Sequence, residues 1–214
     1  MKQIREVEAV LFDVDGTLLD AREFIFQAYE HTLASHRYQP PERELIASLV
    51  GRPFEDCYRI LAPGGDIAAL IRDHRDFQVQ HLHLAQPFPG ARETLRRLKE
   101  ARVKLAAVTT RSKLTSSRTL QLAGLTDYLD LLISGEDVEK VKPHPEPLLR
   151  ALDHFKVSPQ HACMVGDTAA DILAGRNAGV KTVGVTYGFA EEGIRANQPD
   201  YVIDYIADVA AILL

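Results

Sequence analysis

Val7 to Phe12 is a short, nearly continuous apolar run that empties directly into Asp13-Val14-Asp15-Gly16-Thr17. Apolar residues at successive rather than alternate positions mark a strand buried on both faces, as in parallel sheets covered by helices. The same kind of run recurs at Val103 to Val108, Asp130 to Ser134, Ala162 to Val165, Lys181 to Val185 and Tyr201 to Ile203. Helical patterning lies between these runs. Leu95 and Leu98 set one face after Pro89-Gly90, and Pro147-Leu148 opens another helix. Ala169 to Ala178 ends at Gly179, and Ile206, Val209, Ala210 and Leu213 repeat at helical spacing. Strands alternating with helices predict an α/β fold: a doubly wound, Rossmann-like parallel sheet.

One stretch breaks the rhythm. From Asp20 to Gln86 no strand pattern occurs, and Pro40-Pro41, Gly51-Arg52-Pro53, Pro63-Gly64-Gly65 and Pro87-Phe88-Pro89-Gly90 punctuate it. Three helices are expected there: one carrying Ile25, Ala28, Tyr29 and Thr32 on a face, one from near Pro41, and one over Asp66 to His83. The expected division is therefore a core of residues 1–18 and 87–214, with a helical cap domain at 19–86. Hinges are expected near Leu18 to Asp20 and Gln86 to Gly90. A chain of 214 residues is about 1.4 typical domains, which suits one core with an insertion.

Charge narrows the partners. Lys and Arg number 25 against 30 Asp and Glu, for a net charge of −5, so bulk charge argues against nucleic acid or an anionic membrane surface. Any anionic ligand must be held by a few placed cations. The two cysteines, Cys57 and Cys163, make no disulfide framework. Met1 to Glu6 lacks the apolar run of a leader, and no apolar stretch reaches bilayer length, so the expectation is a cytoplasmic protein.

The chemistry-bearing residues gather where strands end, which is where open parallel sheets bind ligands. Asp13 and Asp15 suit phosphoryl transfer, one carboxylate attacking phosphorus while the other moves protons. Gly16 lets the backbone turn sharply beside a ligand. A bare acidic turn remains the plain alternative. A calcium loop fails, because Leu18 and Phe24 stand where a glycine and a bidentate glutamate are required. Met164-Val165-Gly166-Asp167-Thr168 ends another strand, and Asp171 follows four residues after Asp167. With Asp13 these offer hard oxygen ligands suited to Mg²⁺, unless Asp167 merely caps the next helix. Val108-Thr109-Thr110-Arg111-Ser112 places a hydroxyl and fresh N–H groups at a helix start. Val141-Lys142-Pro143-His144-Pro145 puts a stiffened lysine beside them.

These motifs, in this order and each after its own strand, resemble the haloacid dehalogenase superfamily of Mg²⁺-dependent phosphotransferases. The resemblance covers nearly the whole chain, and the insertion with Val50-Gly51-Arg52-Pro53 resembles the cap of the phosphoglycolate-phosphatase-like branch. It implies Asp13 as nucleophile and Mg²⁺ ligand, and Asp15 as general acid/base with its carbonyl on the metal. Thr109 and Lys142 would hold the phosphoryl group, and Lys142 would also restrain Asp13. Asp167 and Asp171 would serve the metal, Asp171 directly or through water or Lys142. Substrate contacts are expected from Gly16, Thr17, Thr110, Arg111 and Arg52.

The implied activity is a phosphatase acting on a small phosphorylated metabolite, phosphoglycolate-like, by a monomer or homodimer. Val108 to Arg111 with Glu146-Pro147 also resembles the bacterial inorganic pyrophosphatases of the family. Dehalogenases attack carbon without the second aspartate, so Asp15 argues against that chemistry. A phosphosugar mutase and a non-catalytic phosphate-binding regulator remain alternatives, although a regulator would be expected to lose Asp13 or Asp15. A Zn²⁺ site at His81 and His83 is disfavoured because side chains two apart on a helix diverge. No P-loop, dinucleotide or serine-hydrolase signature occurs.

Overall fold

The computed structural model describes residues 6–189 and 191–214. Met1 to Arg5, part of the segment read above as lacking a leader, lie outside the described residues. The elements in chain order are β1 (Ala9–Phe12), β2 (Leu19–Asp20), α1 (Arg22–Ser35), α2 (Arg43–Leu49), α3 (Phe54–Leu61) and α4 (Ile67–Gln80). There follow β3 (Gln86–Pro87), α5 (Ala91–Glu100), β4 (Lys104–Val108), α6 (Lys113–Leu122), β5 (Leu131–Ile133) and α7 (Glu146–Phe155). The chain ends with β6 (Ala162–Gly166), α8 (Ala169–Ala178), β7 (Lys181–Val185), α9 (Glu191–Ala196), β8 (Tyr201–Ile203) and α10 (Ala207–Leu213).

Six strands form one parallel sheet in the order β5-β4-β1-β6-β7-β8. All six apolar runs became its strands, which is the doubly wound α/β fold that the alternation predicts. β1 sits between β4 and β6, and the chain builds outward from it first on one side and then on the other. Asp13 thus emerges at the switch in winding direction, where adjacent connections leave a crevice.

Side-chain alternation divides the core into two layers. Val10, Phe12, Leu105, Ala107, Cys163 and Val165 face α5 and α10, in a cluster that runs on without a break into the inserted helices. Ala9, Leu11, Ala106, Val108, Ala162 and Met164 face α7 and α8. Because Leu33, Ile46, Tyr58 and Leu70 belong to the first cluster, the inserted helices share apolar packing with one face of the sheet. That packing seats α4 over the strand ends.

The insertion holds four helices among the described residues, where the sequence reading expected three. The extra one is α3, which the Gly51-Arg52-Pro53 break hid. Phe54, Cys57, Tyr58 and Leu61 fall at helical spacing, so the signal was present in the residues themselves. Entry and exit of the insertion are stitched by an antiparallel pair, Leu19 opposite Pro87 and Asp20 opposite Gln86. These two-residue strands lie within the expected hinge segments. Among the described residues no helix is long and apolar enough to cross a membrane.

Candidate active site

Asp13 leaves β1 with its N–H donated to the carbonyl of Val165 at 2.9 Å, so the sheet ladder itself fixes its backbone. Asp13 and Asp15 are each only 7% exposed. Lys142 arrives from the loop before α7 and is also buried. Its Nζ donates to Asp13 Oδ1 at 2.5 Å, Asp171 Oδ1 at 2.7 Å and the Val108 carbonyl at 2.9 Å. All three ammonium protons are thereby used. The loop carrying Lys142 is itself held: the Glu146 carboxylate at the start of α7 accepts from the N–H groups of Glu139 and Lys140, at 2.9 and 3.0 Å.

Arg111 serves the second aspartate. Its Nη1 donates to Asp15 Oδ1 at 2.6 Å and its Nη2 to Thr119 Oγ1 at 2.6 Å. The guanidinium lies over the Phe24 ring at 4.8 Å, which ties α6 to α1 beside the site. Thr109 Oγ1 accepts from the Arg111 N–H at 3.2 Å.

Asp167 follows β6 and is fully buried. One oxygen accepts the Phe189 N–H at 2.7 Å, while the other, Oδ1, has no partner. Asp167 is not the helix cap that the plain alternative made of it. Asp171 takes that work, its Oδ2 accepting from the N–H and hydroxyl of Thr168 at 3.0 and 2.6 Å.

Burial makes this cluster electrostatically costly. Desolvation pushes Asp13 up to about 7, with Asp171 and Asp15 adding to it and Lys142 opposing. Asp167 is driven well above the usual carboxylate range by burial, then by Asp13 and Asp171. Asp15 is raised by burial against the pull of Arg111 and Lys142. Burial also works against the charged Lys142, but Asp13 and Asp171 outweigh it and push its pKa up. Three carboxylates facing one lysine leave the centre short of positive charge.

The donor set fits a small hard cation. Asp13, Asp167 and Asp171 offer oxygens all within 4.8 Å of one another, and the orphaned Oδ1 of Asp167 is the buried atom such an ion would satisfy. No other group of this kind occurs among the described residues, and His81 instead stacks on Phe77 at 3.9 Å. Gly16 makes room for the cluster. At φ +91° its added Cβ would sit 2.2 Å from Asp167 Oδ2. Gly16→Ala should therefore cost about 1–3 kcal/mol through left-handed strain and displacement of Asp167. A denaturant melt checks this, and an unchanged midpoint would refute it.

A cavity of about 80 Å³ opens over these groups and adjoins a wider cleft of about 770 Å³ that shares Lys142, Arg52 and Thr168 with it. Of the residues expected at the site, Asp13, Asp15, Thr109, Thr110, Arg111, Lys142 and Arg52 line it. Arg52 is exposed at its rim, on the loop between α2 and α3. Gly16 and Thr17 are not on its wall. Thr17 is fully buried, and its carbonyl accepts the Tyr187 hydroxyl at 3.1 Å. Asp167 and Asp171 sit behind the wall, within ligand reach of Asp13.

The sequence reading missed four contributors. Thr168 lines the cavity, and the Phe189 N–H orients Asp167, a backbone role that leaves no trace in residue type. His74 and Gln78 enter the cavity from α4. Their signal was legible: with Leu70 and Ile71 they fall on the buried stripe of that helix, where a polar side chain needs a reason.

Comparison with known proteins agrees with this geometry. Residues 10–185 match the family model for haloacid dehalogenase-like hydrolases. The chain is 36% identical over 211 residues to a protein named pyrophosphatase PpaX from Halalkalibacterium halodurans, covering 97% of each. It is 34% identical over 209 residues to the protein of that name from Bacillus cereus, covering 97% of this chain and 96% of the relative. Among solved structures it is similar to a haloacid dehalogenase-like family protein from Streptococcus pneumoniae, at 25% identity and a TM-score of 0.88. That match covers 96% of this chain and 98% of the other. The fold, the strand-end constellation and these likenesses agree: the chain belongs to the haloacid dehalogenase-like hydrolases and is a phosphatase of that family.

Proposed function

We propose that the chain is a Mg²⁺-dependent phosphatase that hydrolyses inorganic pyrophosphate through a phosphoaspartate on Asp13. The observation that carries the reading is the division of labour at the end of β1, with Lys142 on one buried aspartate and Arg111 on the other. Support for pyrophosphate comes from the names of relatives 34–36% identical over nearly the whole chain, and from the three cations Lys142, Arg111 and Arg52 on the cavity wall. Phosphoglycolate, the substrate that the branch resemblance implies, is the comparison to make.

Asp13 attacks phosphorus while the bond to the leaving oxygen breaks, and Asp15 gives that oxygen its proton. Water then attacks the acyl phosphate, Asp15 takes the water's proton, and Asp13 is regenerated with release of phosphate. Lys142 orients Asp13 and sets its charge against the transferring phosphoryl oxygens, to which the Thr109 hydroxyl donates a hydrogen bond. Arg111 holds Asp15 facing the leaving group. Asp13, Asp167 and Asp171 would hold Mg²⁺, with the Asp15 carbonyl. When bound, the ion offsets repulsion between carboxylates and phosphate. The helices of the insertion act as a cap that keeps bulk water from the site.

A panel of pyrophosphate, phosphoglycolate, nucleotides and hexose phosphates with Mg²⁺ tests the reading. Pyrophosphate should give the highest kcat/KM, and chelator should abolish turnover. No hydrolysis across the panel would overturn it.

The metal also has a stability signature. Asp13 titrates near 7 when folded and near 3.8 otherwise, so between those values the native state holds the extra proton. Without metal, stability therefore falls as pH rises through that window. Mg²⁺ replaces the proton, so its stabilisation should grow over the same window. At a hundredfold excess over Kd the rise in Tm should approach about 5–10 °C at pH 8 and shrink at pH 5. Equal shifts at both pH values would contradict this.

A further inference from the structure

One buried polar side chain on the cavity wall has no task in the mechanism above. His74, fully buried on α4, lines the cavity together with Asp13, Asp15 and Arg111. Its Nδ1 lies 2.7 Å from the hydroxyl of Tyr58, and its Nε2 has no partner. The ring is gripped by aromatic neighbours, with centroids 4.6 Å from Tyr29 and 4.5 Å from Phe54. A side chain locked this firmly, yet left with an unsatisfied nitrogen, is costly unless a ligand completes it.

The tautomer follows from hydrogen-bond accounting. Neutral imidazole has one donor and one acceptor nitrogen. If Tyr58 donates to Nδ1, only the Nε2–H is stranded. If Nδ1 donates instead, the Nε2 lone pair is stranded and the Tyr58 proton must turn to the neighbouring Thr32 hydroxyl, which lies outside hydrogen-bond geometry. The first arrangement wastes less, so Nε2 carries the proton. Burial, then Arg75 and Arg111, pull the His74 pKa down to about 3, so the ring is neutral at ordinary pH. Gln78, 2% exposed and one turn further along α4, lines the same cavity.

We propose that His74 is the specificity-determining residue for the leaving group, its Nε2–H donating to an oxyanion oxygen there, with Tyr58 as the positioning residue that fixes the tautomer. The leaving group is thereby assigned to an acidic class, a second phosphoryl or a carboxylate, rather than an alcohol or phenol without acceptor oxygens. A neutral donor adds direction without a further buried ion. The inference rests on the phosphatase reading.

Kinetics on the full chain test it with pyrophosphate, phosphoglycolate and phenyl phosphate. Tyr58→Phe/His74→Phe removes both polar partners together, so no hydroxyl is orphaned, and the new rings suit the aromatic surroundings. For whichever acidic substrate is read, kcat/KM should fall about tenfold or more, chiefly through KM, while phenyl phosphate changes less than about twofold. Loss with pyrophosphate alone identifies a second phosphoryl, and loss with phosphoglycolate alone a carboxylate. A proportional fall on all three substrates, or none on any, overturns the proposal. Tyr58→Phe alone should lower the selectivity ratio in the same direction by a smaller factor. Histidine ring-nitrogen NMR of the unliganded chain should find His74 neutral with the proton on Nε2. A proton on Nδ1 overturns the proposal whatever the activity. If the wild type hydrolyses none of these substrates but the tautomer is as stated, the phosphatase reading fails, not the tautomer assignment.

Discussion

Asp13→Asn should lower kcat by on the order of 10⁴-fold or more, the scale on which removal of a covalent nucleophile acts elsewhere. The amide oxygen can still accept from Lys142 Nζ, which stands 2.5 Å from Asp13 Oδ1, so the local scaffold survives. Asp13 is buried and pushed up to about 7, so near neutrality an uncharged side chain already resembles much of its native population. The melting temperature in the absence of Mg²⁺ should therefore stay within a few degrees of wild type. Steady-state turnover and a thermal melt on the same preparation check the pair of expectations. Activity within tenfold of wild type would remove Asp13 from the role of nucleophile.

Lys142→Ala should destabilise the fold by about 3–5 kcal/mol, the cost of leaving a buried charge partner uncompensated. Nothing else nearby can replace it: Arg111 is committed to Asp15 and Thr119, and Lys142 alone spans Asp13, Asp171 and the Val108 carbonyl. The deficit should narrow as pH falls through about 7, because Asp13 then takes up a proton. Mg²⁺ should narrow it as well. Combining Lys142→Ala with Asp13→Asn should cost less than the sum of the two, since the second change removes a charge that the first left unpaired. Urea melts at pH 5 and pH 8 measure all of this. Additive losses independent of pH would mean that Lys142 contributes packing alone.

Much of the architecture was legible because it rests on local pattern. Six apolar runs gave six strands, since a strand buried on both faces leaves little choice of residue. Asp13, Asp15, Thr109, Lys142 and Asp167 each follow the end of a run or sit in a stiffened loop, and strand ends converge in a parallel sheet. The α3 helix was hidden by proline and glycine before it, although Phe54, Cys57, Tyr58 and Leu61 spell one face. His74 was not singled out; the histidines weighed were His81 and His83, and His81, at the C-cap of the same helix, stacks on Phe77.

The sequence by itself determined which residues end which strands, and so the list of groups that could meet. Covalent order and apolar periodicity are local properties, readable one segment at a time. Only the tertiary structure decided the pairings. Lys142 reaches Asp13 across 129 positions, Arg111 reaches Asp15 across 96, and the Phe189 N–H reaches Asp167 across 22. Such partnerships depend on strand order β5-β4-β1-β6-β7-β8 and on where the inserted helices pack, which no single segment encodes. The same packing closes α4 over the strand ends and brings His74, its Nε2 unpartnered, to the cavity wall. Burial then turns those distances into energies, because desolvated charges separated by a few ångströms interact far more strongly than the same charges in water.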